Sequence, residues 1–118
     1  MKQIFYLSTC STCARILKEL GDISDFELIE IKANNITKGQ LDELKDLING
    51  TYEDFFSRRA MKYRAWGLHE KELSESDILD LITREYTFLK RPVIRIGEKI
   101  FIGNTKKVVQ AAIEANST

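Results

Sequence analysis

"KQIFYLSTCSTCARIL", residues 2–17, runs from an apolar stretch into two cysteines two residues apart, then into isoleucine and leucine at helical spacing. The opening "KQIFYL" (2–7) is aromatic and β-branched, as a buried strand should be. Ile16, Leu17 and Leu20 recur with the helical period, and Gly21 marks the stop. Cys10 therefore falls where a strand turns into a helix. The first amides of a helix are unpaired donors that carry partial positive charge. A thiolate held there is stabilised, and its pKa falls from about 8.5 into a range of roughly 3.5–7.5. Cys13 lies one turn further in, on the face of Leu17 and Leu20, so it is expected to be less exposed. It would be close enough to attack a sulfur adduct on Cys10, which makes Cys10 the attacking thiol and Cys13 the resolving one.

Two other chemistries fit a close cysteine pair. Unpaired cysteine often serves as a small core hydrophobe. A structural zinc site takes four ligands, and this chain offers two cysteines and the single His69, which sits in the polar stretch "GLHEKE" and reads as a surface residue. No metal is expected unless two chains share a site.

Further along, "FELIEI" (26–31) alternates with period two and reads as a second strand, so the chain opens β-α-β. "TKGQLDELKDLING" (37–50) begins with Thr37 and Gln40 at capping-box spacing, presents Leu41, Leu44, Leu47 and Ile48 on one stripe, and ends at Gly50. "YEDFF" and "SRRAMKYRAWGL" predict short helices with loops. "SESDILDLITREYTFL" (74–89) predicts a capped helix with Ile78, Leu79, Ile82, Tyr86 and Leu89 on its apolar face. "PVIRIGEKIFIG" (92–103) is two β runs joined at Gly97-Glu98, a hairpin signal. "NTKKVVQAAIEA" closes the chain as a helix with Val108, Val109, Ala112 and Ile113 inward. No repeat or linker interrupts the order.

The order resembles the thioredoxin-like arrangement. The expected architecture is α/β: one thioredoxin-like domain over 1–118, with a four-stranded mixed sheet (βαβ…ββα) and a helical insertion at about 33–89 between strands 2 and 3. Pro92, the only proline, stands at the entry to the third strand, where it removes no ladder hydrogen bond. In thioredoxin-like folds the loop ahead of this strand faces the active-site cysteine and its proline is cis. That resemblance implies a cis Arg91–Pro92 bond, which an X-Pro peptide accepts at about 0.5–1 kcal/mol. Arg91 would then bring a guanidinium beside the Cys10 loop, and planar guanidinium donors suit tetrahedral oxyanions. "FFSRRAMKYR" adds Arg58, Arg59 and Arg64, most of which read as solvated.

Composition narrows the classes. The chain has 118 residues, 43% hydrophobic and 31% charged, enough for one globular core. Lys+Arg and Asp+Glu both total 18, so bulk charge offers no basis for direct nucleic-acid binding. No apolar run approaches the roughly 20 residues that span a bilayer, and no export signal opens the chain. The expected location is cytoplasmic, without a membrane partner; there a close cysteine pair is more often catalytic or metal-binding than a static staple.

Three stretches in order, "YLSTCSTCARIL", "FFSRRAMKYRAWGL" and "FLKRPVIRIGEKIFIG", resemble the arsenate reductase-like family, and the resemblance covers nearly the whole chain. The family includes glutaredoxin-coupled arsenate reductases and Spx-type transcriptional regulators. The resemblance implies that Cys10 is the nucleophile, that Arg91 precedes the cis proline Pro92, and that Arg59 is the insert arginine that helps bind an oxyanion. It also implies an arsenate reductase-related thiol-dependent oxidoreductase acting on a small oxyanion or a protein disulfide. No bound cofactor is implied; glutathione, glutaredoxin or thioredoxin would be the reductant. Where the family's arsenate reductases carry a further arginine after the last strand, this sequence has "FIGNT" with Gly103, and where they commonly carry serine or threonine it has Cys13. A Cys-x-x-Cys pair is what the Spx-type regulators have. Their likeness implies the alternative, a redox-switched regulator that binds the C-terminal domain of the RNA polymerase α subunit. "NGTYEDFFS" loosely resembles the segment they use for docking.

Overall fold

A computed structural model describes residues 1–117. The chain forms two compact units: Met1–Asn34 together with the chain from Arg91 onward, and Asn35–Lys90. The second unit corresponds to the segment read from the sequence as an insert at about 33–89.

The first unit is the sheet. β1 (Lys2–Tyr6), β2 (Glu27–Glu30), β3 (Val93–Ile96) and β4 (Lys99–Ile102) lie in the order β2-β1-β3-β4. β1 and β2 are parallel, β1 and β3 antiparallel, and β3 and β4 form the expected hairpin. This is the four-stranded mixed sheet expected of βαβ…ββα. α1 (Ser11–Glu19) and α5 (Lys106–Asn116) cover one face. Ile4 and Ile94 on that face pack with Ile16, Leu20, Phe26, Val109 and Ala112. Of the α5 positions expected inward, Val109 and Ala112 are buried, and Val108 and Ile113 are half-buried.

These pairings gather one end of the sheet. β1 and β2 both finish there, β3 begins there, and β4 returns there. The register sets Phe5 opposite Val93, so the Arg91–Pro92 peptide falls beside the residues that leave β1.

The second unit holds α2 (Lys38–Leu47), α3 (Met61–Ala65) and α4 (Glu75–Arg84), with single 3-10 turns at Tyr52–Phe55, Leu68–Glu70 and Tyr86–Phe88. The Thr37–Gln40 capping box opens α2 as expected, and Ser74 with Asp77 forms another at α4. Leu41, Leu44, Ile78 and Ile82 are buried, together with Leu81, which the expected stripe omitted. α4 is shorter than the predicted 74–89 helix. The Thr83 hydroxyl bonds back to the Leu79 carbonyl at 2.8 Å, and Glu85 turns extended (φ −130°, ψ 110°). Its carboxylate then accepts the Thr87 N–H at 3.2 Å and caps the following turn instead.

Gly50 has a local reason to be glycine. A Cβ there would lie 2.3 Å from the Asp54 Oδ2 that accepts the Thr51 N–H, and 2.7 Å from Ile48 Cδ1. Asn49, at φ 51°, makes the left-handed turn that ends α2.

A candidate thiol site at the end of the sheet

Cys10 is the N-cap residue of α1, extended at φ −92°, ψ 114°. Its N–H donates to the Leu7 carbonyl at 3.1 Å, and its own carbonyl accepts the Ala14 N–H at 3.1 Å, the first bond of the helix. No side-chain oxygen caps this helix; the sulfur stands in the capping position. Cys10 is partly exposed and Cys13 is fully buried, and both are free thiols.

The two sulfurs differ in their readiness to ionise. Partial burial opposes the Cys10 thiolate. The hydrogen bonds from the Cys13 backbone, the Cys13 thiol and the Thr12 backbone, with the positive charge of Arg91, outweigh it and hold the thiol below its ordinary value. Cys13 is pushed up to about 11, first by burial and then by the neighbouring Cys10 charge and its hydrogen bond; the Leu7 backbone and Arg91 offset only part of this. The pair is thus a sulfur shifted towards its thiolate beside a buried thiol that stays protonated at neutral pH. Loss of the charge on Cys10 would remove one of the causes that hold Cys13 protonated, while its burial would remain.

Arg91 and Pro92 reach the same place through the sheet register. The Arg91–Pro92 bond is cis, as the resemblance implied, and Pro92 is buried. The Pro92 carbonyl accepts the Gly103 N–H at 2.9 Å, which ties the start of β3 to the turn after β4. Gly103 itself sits at φ +91°, in the left-handed region. An arginine at this position would carry the strain of a side-chained residue there.

Arg59 belongs to the second unit, exposed on the turn before α3. Its neighbour Arg58 is engaged. That guanidinium bonds the Glu53 carboxylate and donates to the Tyr63 hydroxyl at 2.7 Å, and it lies 5.5 Å from the centres of both the Phe56 and Tyr63 rings. Arg59 makes no salt bridge among the described residues. His69 is exposed beside Glu70, and no group of three or more metal-ligating side chains occurs among the described residues.

Two contributors escaped the sequence reading. The Leu7 backbone donor to Cys13 carries no residue signature, since any amide would serve; those of Thr12 and Cys13 are helix-opening amides of the kind expected at Cys10. Glu30, read only as an acidic position of an alternating strand, ends β2 at the same end of the sheet and bonds the backbone of Ser8.

The chain is similar to known proteins along most of its length. It is 29% identical to the uncharacterised protein YusI of Bacillus subtilis strain 168 over 102 residues, 84% of this chain and 86% of that one. It is 25% identical over 112 residues to the global transcriptional regulator Spx of Streptococcus pyogenes serotype M1, covering 94% of this chain and 84% of the regulator. Among solved structures, a possible arsenate reductase from Streptococcus mutans UA159 superposes with a TM-score of 0.73 at 28% identity, over 90% of this chain and 92% of that one. The thioredoxin-like α/β fold expected from the element order is therefore the fold of this chain. Residues 5–112 match the ArsC family model, and by that match the chain belongs to the ArsC family.

Proposed function

We propose that this chain is an arsenate reductase-related, thiol-dependent oxidoreductase in which the Cys10 thiolate attacks an oxyanion or a disulfide and Cys13 resolves the adduct. The observation that carries this reading is the opposed ionisation of the two sulfurs at the start of α1, beside Arg91. On a disulfide, the thiolate bonds one sulfur and the other leaves as a thiolate. Cys13, giving up its proton to that leaving group or to solvent, then attacks the Cys10 sulfur and releases the second half. The two cysteines end as a disulfide, and the substrate has gained two electrons. On a tetrahedral oxyanion, Cys10 bonds the central atom while a protonated oxygen departs as water. Attack by a second thiol on the Cys10 sulfur then leaves two electrons on that atom. Glutathione, glutaredoxin or thioredoxin would restore the dithiol.

Arg91 supplies positive charge at the nucleophile. Arg59, unlike Arg58, is uncommitted to a carboxylate and is the insert residue we assign to the oxyanion. Gly103, in a left-handed turn near the position where the family's arsenate reductases carry a further arginine, supports a weaker grip on a multiply charged substrate than theirs. The test is consumption of reducing equivalents by the purified protein with arsenate, or with a model disulfide, in the presence of glutathione and glutaredoxin. Turnover that disappears in Cys10→Ser supports the reading; equal turnover in that variant sinks it.

The likeness to Spx across 94% of the chain favours one second reading, a redox-responsive regulator that binds the RNA polymerase α C-terminal domain. Pull-down with that domain before and after oxidation tests it. Gly50, which lies in the docking-like segment, does not decide the matter, because the close approach of the Asp54 and Ile48 side chains already favours a glycine there.

A further inference from the structure

Glu30 ties together the two loops that leave the sheet at the cysteine end. Its carboxylate accepts the Ser8 N–H at 2.8 Å and the Ala33 N–H at 2.9 Å, while its carbonyl accepts the Asn34 N–H at 2.8 Å. The Ser8 N–H is one end of the Leu7–Ser8 peptide. The other end, the Leu7 carbonyl, accepts the Cys10 N–H at 3.1 Å. A peptide unit is planar, so an anchor on its N–H sets the direction of its C=O. An anionic acceptor also polarises the amide and strengthens that carbonyl as an acceptor. Ser8 and Thr9 are both exposed, so hydrogen bonding rather than side-chain packing defines the path from Leu7 to Cys10.

We propose that Glu30 is a positioning residue for Cys10: through the Leu7–Ser8 peptide, its carboxylate holds the sulfur against the amides that open α1. Glu30 acts through that peptide, by its bonds to the Ser8 and Ala33 amides. The inference rests on Cys10 being the reacting thiol. The Ser8 and Ala33 amides hold the Glu30 carboxyl below the usual range, so it is anionic wherever Cys10 reacts.

The experiment is the alkylation rate of Cys10 by iodoacetamide, followed peptide by peptide against pH, in the parent, Glu30→Gln and Glu30→Ala. Two effects of removing the carboxylate have opposite signs. Loss of a nearby negative charge alone favours the thiolate and moves the Cys10 midpoint down, whereas loss of the anchor moves it up. We expect a rise of about one unit in Glu30→Ala, read as a roughly 10-fold slower reaction below the midpoint. Glu30→Gln should shift less, because its amide oxygen can still accept the Ser8 N–H. A midpoint that stays or falls in both variants would overturn the inference, including the case where only the thermal midpoint of unfolding drops. If Glu30→Ala does not fold, Glu30→Leu, which also lacks an acceptor but restores side-chain volume, carries the test by the same sign. A parent Cys10 that titrates like an ordinary thiol removes the reactive-thiol reading itself, and this inference with it. A depressed parent midpoint that Glu30→Ala leaves in place removes this inference alone.

Discussion

The turn at Cys10 and the first turn of α1 behind it carry the same side chain in opposite states. Two residues separate the two cysteines, and both sulfurs feel the charge of Arg91. One is held below the ordinary thiol range; the other is pushed up to about 11. The difference comes from orientation. At the N-cap the sulfur faces the unpaired amides of the helix and keeps some contact with water. One turn later the side chain points with Ile16 and Leu20 into the core, where a charge loses its hydration and finds too few donors in return. A Cys-x-x-Cys spacing thus becomes a division of labour only because a helix starts at its first member.

The largest expected effect is on that first member. Cys10→Ser should lower the rate of mixed-disulfide formation by about 10³-fold or more, since a serine hydroxyl at neutral pH offers almost no anion; mass spectrometry of the protein with glutathione disulfide reads it directly. Cys13→Ser should leave the first attack in place and block the second. The Cys10 adduct should then accumulate, and turnover should fall by about 10²-fold. Release of the adduct as fast as in the parent would show that the buried thiol does not resolve it.

Arg91→Ala sharpens the comparison from outside the pair. Without the guanidinium the Cys10 midpoint should rise, and its alkylation below that midpoint should slow by several-fold to about 10-fold. Linkage runs in opposite directions at the two cysteines. Cys10, depressed in the folded state, contributes stability that is present above the ordinary thiol pKa and is lost as pH falls through the folded value. Cys13, raised in the folded state, contributes stability that is present below the ordinary thiol pKa and is lost as pH climbs from about 8.5 towards about 11. Unfolding midpoints measured across that alkaline window should fall more steeply in the parent than in Cys13→Ala.

The smallest expected effect lies across the site, at Gly103. Gly103→Ala places a side chain at φ +91° with open space around its Cβ, so only backbone strain is at stake. Urea unfolding should show a loss of about 1 kcal/mol, with the Cys10 midpoint unmoved.

Legibility followed the range of the interactions. The cysteine loop, the Thr37 capping box and the Gly97-Glu98 hairpin were readable because each depends on residues within a few positions of one another. The end of α4 was not. Its apolar period continues to Leu89, but Glu85 is drawn into capping Thr87 and pairing with Lys62, 23 residues away. The role open to Glu30 was equally hidden, because it depends on a backbone amide 22 positions distant.

By itself the sequence determined the element order, the thiol chemistry on offer and the helix that begins at Cys10, since hydrophobic period and capping act locally along the chain. Only the tertiary structure decided which end of the sheet would collect Arg91, Pro92, Gly103 and Glu30 around that helix, and how far apart the two sulfurs would be driven in ionisation. Strand direction and register are collective properties of chain segments many residues apart, and burial exists only once those segments have packed.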